Sequence, residues 1–216
     1  MAATNPMIQP GVRATGAKPD ARSQLLEAAS ALMRERDTLD ISLSEISTKA
    51  GLNSALVKYY FGNKEGLMRA LLERDVVPGL NQLAALVNSD ISPRQKMRIH
   101  IEGLINLNFA HPYLNRLLMR LIKDASTELA AEIAEALLKP ITQAYAALIA
   151  EGVDKGDFKP MDAQLFYFNV IGACDPFFSA KVVLKHCYGI DGVDDALRRR
   201  YIAQTTETLL NGLINR

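Results

Sequence analysis

Apolar residues recur at intervals of three and four along most of this chain, and strict alternation of apolar and polar positions is scarce. Such spacing predicts helices, because one α-helical turn brings those positions onto a single face. The first stripe is Leu25, Leu26, Ala29, Leu32 and Met33, in a helix expected from about Asp20 to Arg36. A second helix should begin at Leu43, because Ser42 and Glu45 form a capping-box pair, and Leu43, Ile46 and Ala50 give it an apolar side. Gly51 stands where a left-handed helix stop costs no steric penalty. Asn53 can cap a short third helix, Ser54 to about Tyr60, with Val57 and Phe61 turned inward beside Leu52. After Gly62 and the cap Asn63, a fourth helix is expected from Lys64 to Val77, with Pro78 ending it.

The pattern divides the chain into a tail (residues 1–19), a first domain (20–77) and a second (79–216). Prolines and glycines deny the tail a regular element; its Arg13 and Lys18 without acids also suit a basic arm reaching a DNA minor groove. In the second domain, Ser92 caps and Pro93 opens a helix reaching about Phe109, and another spans Pro112 to Lys123. A long pattern from Thr127 to Glu151 contains Pro140, which should kink or split it. Gly152 to Pro160 reads as a loop. Met161 to Cys174 is apolar nearly all round, Asp175-Pro176 marks a kink, and Phe177 to His186 continues as helix. A last helix is expected from Val193 to Ile214. The fold class is therefore all-α, with about nine helices.

Composition sharpens this reading. A chain of 216 residues, 49% of them hydrophobic, has the material for one or two cored domains. Its net charge of +1 favours no particular partner. Cys174 and Cys187 have neither C-x-x-C spacing nor a metal-ligand pattern, which suits a reducing, cytoplasmic compartment and predicts no metal and no cofactor. No secretory leader is visible, and Asn169, Asp175, Pro176 and Lys181 argue against a membrane span over Leu165 to Leu184. Scattered histidines and the absence of phosphate-loop, H-E-x-x-H or G-x-S-x-G patterns argue against an enzyme.

Two short helices joined at Gly51 form a helix-turn-helix, the unit that places its second helix in a DNA major groove. AGLNSALVKYYFGNKEGLMRALL also resembles the N-terminal signature of the TetR family of transcription regulators, the likeness covering about Ala21 to Leu72. Leu56 and Lys58 depart from the family's usual Thr and aromatic, so base preference does not transfer. From Ile46 to Lys64 there are three lysines and no acid. Over Asp20 to Asp75, however, eight Lys and Arg face nine Asp and Glu, so overall charge alone would not indicate DNA. Base edges are assigned to Ser54, Ala55 and Lys58, with Leu56 against a thymine methyl. By resemblance, Lys64, Tyr59, Tyr60, Ser42 and Ser44 grip phosphates, and Lys49 adds local positive charge.

The resemblance further implies a homodimer on a palindromic double-stranded DNA operator, and a C-terminal domain that dimerises and encloses a small, largely apolar effector. Release from the operator on effector binding, as a repressor, is the family's usual mode. Polar groups stranded in apolar segments, with aromatics around them, are the candidate pocket residues: Asn106, Phe109, His111, Phe166, Asn169, Cys174, Asp175 and Phe178. The competing reading is a helical carrier or scaffold that does not bind specific DNA.

Overall fold

A computed structural model describes residues 20–214, and the N-terminal tail lies outside them. The described residues form twelve α-helical segments and no sheet: α1 (Ala21–Arg36), α2 (Leu43–Ala50), α3 (Ala55–Phe61), α4 (Lys64–Val87), α5 (Pro93–Ala110), α6 (Leu114–Asp124), α7 (Thr127–Ile133), α8 (Lys139–Asp154), α9 (Ala163–Cys174), α10 (Pro176–Ser179), α11 (Lys181–Tyr188) and α12 (Asp195–Leu213). Joining α7 to α8 and α10 to α11, each pair only briefly interrupted, brings the count close to the nine expected.

The caps explain most helix starts. Ser42 Oγ accepts from Glu45 N at 3.2 Å while Glu45 Oε2 accepts from Ser42 N at 2.7 Å, closing the box reciprocally. Ser92 and Gln95 repeat the motif on either side of Pro93. Gly51 sits at φ 66°, where a side chain would be strained.

Helix α4 corrects one expectation: it runs through Pro78 to Val87. Pro fits a helical φ and forfeits one hydrogen bond, at a cost of about 3 kcal/mol. Pro78 is exposed, so the carbonyl one turn back can meet water, while Leu83 and Val87 beyond it bury against the second core. Pro140 acts as expected. A π-helical turn, Ala134–Leu138, separates α7 from α8, and Lys139 N reaches back to Ala134 O. The wider turn accommodates the proline ring and its missing donor. Gly152, expected in a loop, lies in α8 and is buried, because Phe158 folds back over it.

Two apolar cores result. Around α1 to α4, Leu25, Ala29, Met33, Ile46, Val57, Leu67 and Leu71 are wholly shielded, joined by Tyr113, Leu117 and Leu137 from α6 and its neighbours. The second core gathers Met97, Ile101 and Ile105 of α5 with Tyr145, Leu148, Val170, Cys174 and Leu213. Helix α4 contributes to both, so it is the rod joining the two halves.

Candidate DNA-binding face and effector cavity

Helix α3 presents one side to solvent. Val57 is fully buried and Phe61 packs on the first core, so Ser54, Ala55, Lys58 and Tyr59 face out, Tyr59 at 79% exposure. Asn53 Oδ1 accepts from Ala55 N at 2.8 Å and fixes the start of the helix. Tyr60 is 38% exposed and stacks edge-on against Tyr59, with ring centroids 5.0 Å apart. Leu56 is half-buried against the first core, which turns part of its side chain away from any groove. Ser44 is exposed, and Ser42 is exposed while its hydroxyl caps α2.

The cations of this face differ in their partners. Glu35 Oε1 and Oε2 accept from Lys49 Nζ at 2.9 and 2.8 Å, and that bond holds the Glu35 carboxyl below its usual range. The charge of Lys49 is thus matched by an acid from α1, which no reading of residues 46–64 could reveal. Lys58 has no ion-pair partner among the described residues and is free to meet an acceptor. Lys64 opens α4 beside a small hollow of about 240 Å³ shared with Leu39, Met68 and Arg120. Asn63 Oδ1 accepts from Gly66 N at 2.8 Å, and Gly66 is required there because a Cβ would meet Phe61 O at 2.1 Å. Arg22 of α1, not among the expected contacts, lies 5.4 Å from the Phe61 ring and adds a cation beside α3.

In the C-terminal half, the expected pocket residues separate. A cavity of about 390 Å³ lies between α4 and α5, walled mostly by Leu80, Leu83, Leu86, Ile99, Leu104 and Ile141. Its polar lining is Asp75, Gln82, His100 and Asn106. Of the candidates only Asn106 reaches it, and its Oδ1 accepts from Arg198 Nη1 at 2.9 Å. His100 Nε2 bonds the Tyr145 hydroxyl at 2.8 Å, and burial pushes the imidazole down to about 4, so it is neutral. Phe109 and Phe178 line a different hollow of about 450 Å³ with Lys181, Leu184 and Ile190. Phe166 and Cys174 are core residues, and burial followed by the neighbouring Asp175 pushes the Cys174 thiol up to about 12, leaving it inert. Asp175 Oδ2 accepts from Asn115 Nδ2 at 2.8 Å. Asn169 faces outward on α9. His111 turns instead toward Asp75 and Tyr113, 3.5 and 3.3 Å from its Nδ1.

Residues 90–216 match the family model described as tetracyclin repressor-like, C-terminal domain, and residues 25–71 match that of bacterial regulatory proteins, tetR family. The chain belongs to the TetR family. This places it among ligand-responsive, DNA-binding transcriptional regulators, a family of regulators and not of enzymes. The HTH-type transcriptional regulator BetI of Brucella melitensis biotype 2 is 27% identical over 187 residues, covering 80% of this chain and 91% of that protein. BetI of Stenotrophomonas maltophilia is 33% identical over 107 residues, 49% of this chain and 52% of its own length. Among solved TetR-like folds, the ketosteroid transcriptional regulator KstR2 of Mycobacterium tuberculosis superposes with a TM-score of 0.70 at 19% identity, covering 94% of this chain and 100% of that one. FadR from Bacillus subtilis, solved with stearoyl-CoA, gives 0.67 at 19% identity over 88% of this chain and 98% of its own. No helix among the described residues is long and apolar enough to cross a membrane.

Proposed function

We propose that this TetR-family regulator is a repressor that binds a palindromic operator as a homodimer in the cytoplasm. A small, mostly apolar effector entering the cavity between α4 and α5 releases it. The observation that carries the reading is the continuity of α4. One helix opens at Lys64 against the DNA-binding unit and, between Asp75 and Leu86, forms a wall of the cavity before it ends at Val87. Occupancy of that cavity and the setting of α3 are therefore two properties of one rod, and ligand and DNA affinities must change each other by the same factor.

The contact assignment follows exposure and charge. Lys58 reads bases with Ser54 and Ala55, and Tyr59, Tyr60, Ser44 and Lys64 hold the phosphate backbone. Lys49, already paired with Glu35, contributes less. The assignment is tested on a duplex recovered from a random pool. Lys58→Ala should flatten preference among sequences. Lys64→Ala should weaken all of them alike and reduce the salt dependence by about one counterion. Unchanged binding in both variants removes α3 as the reading helix.

A further inference from the structure

Where the α4–α5 cavity is the effector site, on which the following rests, its lining carries a specific chemistry. Among the described residues, Asp75 is the one carboxylate in that lining, and no lysine or arginine joins it. Asp75 is buried, 8% exposed. Its Oδ1 accepts from Arg74 Nε at 2.6 Å and its Oδ2 from the Tyr113 hydroxyl at 2.6 Å. A phenol has a single proton, and an ionised carboxylate can only accept. The Tyr113 proton therefore points at Asp75, and the Ser30 hydroxyl, 2.8 Å away, donates into the Tyr113 oxygen. Ser30 is a fully buried residue of α1. Arg74 Nη1 also reaches α1, at Glu27 Oε2, 3.4 Å away. Thus Asp75, a residue of the cavity wall, holds α1 through its carboxylate by two routes, and α1 packs on both α2 and α3.

Arg74 already matches the charge of Asp75. An anionic head in the cavity would face Asp75 with no cation on the wall, and a cationic one would be stripped of water for a carboxylate already paired. An uncharged O–H or N–H avoids both penalties and makes a charge-assisted bond to the carboxylate. We propose that the effector is an uncharged, mostly apolar molecule bearing a hydrogen-bond donor, and that Tyr113 is the positioning residue through which it acts. The donor takes the place of the Tyr113 hydroxyl on Asp75 Oδ2, which frees Ser30 and loosens α1 under α2 and α3.

Three probes with one alkyl chain test this on the full chain: 1-decanol, decyl methyl ether and decanoate. Binding is read as a rise in Tm, and coupling as the change in affinity for a duplex selected from a random pool. The expected result is that decanol and the ether both raise Tm, that decanoate does not at equal concentration, and that only decanol weakens duplex binding, by about tenfold or more. In Tyr113→Phe, decanol should still raise Tm while duplex affinity no longer responds. Ser30→Ala cuts the same route at α1 and serves if Tyr113→Phe does not fold. Equal weakening by the ether, equal binding of decanoate, or a full response in both variants overturns the proposal. The cavity reading fails separately if no probe raises Tm, or if the rise survives Gly103→Leu. Gly103 lines the cavity with open space at its Cβ position, so a leucine there takes up part of its volume and obstructs a decyl chain; either result takes the proposal with it.

Discussion

At the scale of single residues, burial decides more than identity. His100 would be an ordinary titrating imidazole on a surface. Against Tyr145 it is neutral, pushed down by burial to about 4 from the usual imidazole 6.5. The sign follows from proton counting. Between those values the unfolded chain binds more protons than the folded one, so the contribution is complete above pH 6.5 and is lost as pH falls toward 4. One unit is worth about 1.4 kcal/mol, so the loss from this group approaches about 3 kcal/mol. His111, also lowered chiefly by burial, adds to it in the same direction. Urea unfolding at pH 7 and pH 4.5 should show the decline, and His100→Gln should make it markedly shallower. An equal decline in the variant would assign the pH dependence to other groups. Gly152 makes the complementary point about volume. A Cβ there would stand 2.0 Å from Phe158 Cδ2, and Phe158 is itself 1% exposed with its N–H bonded to Gly152 O at 2.9 Å. Gly152→Ala should therefore cost about 1–3 kcal/mol, measured as a lower urea midpoint at unchanged slope.

At the scale of elements, the helices declared by local chemistry were legible. Ser42 with Glu45, Gly51, Asn63 and Ser92-Pro93 each settle a boundary within a few residues, and the structure places them as caps or stops. What local chemistry could not give was the fate of a proline whose helix is held from outside. Pro78 and Pro140 look alike in sequence, yet α4 continues through the first, and a π turn forms before the second. The difference lies in packing that arrives from distant segments. For the same reason the cavity was nearly illegible. Leu80, Leu83 and Leu86 read as ordinary core positions, and only the rotation of α4 against α5 turns them toward a hollow. The aromatics near Asp175 are divided between separate hollows, Phe109 and Phe178 in one and Phe177, stacked on Tyr201 at 4.0 Å, in another. Pro78 carries a prediction at this scale. Pro78→Ala restores the donor to the carbonyl of Arg74, while the more flexible unfolded chain offsets part of that gain. Stability should rise by about 1–2 kcal/mol, less than the full cost of an interior proline. A fall in the urea midpoint would mean that α4 is adapted to the proline.

At the scale of the whole molecule, the proposed homodimer needs a contact face, and the outer side of α9 offers one. Leu165 and Phe168 are 65% and 68% exposed, and with Asn169 and Gly172 they line one side of that helix at intervals of three and four. Helix α12 packs beside α9 and leaves Ala203 and Gly212 exposed, small residues that permit close approach of another helix. An apolar stripe of this kind, next to small residues, is suited to the same pair of helices from a second copy, because a two-fold contact buries each patch against itself. The consequence for DNA is geometric. Two reading helices held about 34–36 Å apart engage successive major grooves together, and a single one must bind alone. Phe168→Asp places a charge at the centre of the stripe; Phe168 belongs to neither core and meets the second only through an edge-on contact with Tyr167. It should yield a folded monomer by light scattering, with unchanged helical circular dichroism. Its affinity for a palindromic duplex should fall by about 100-fold or more, while a half-site duplex is bound as weakly as by the parent chain. If Phe168→Asp stays dimeric, the α9 face is not the contact; if it is monomeric yet binds the palindrome at full strength, pairing of subunits is not what sets operator affinity.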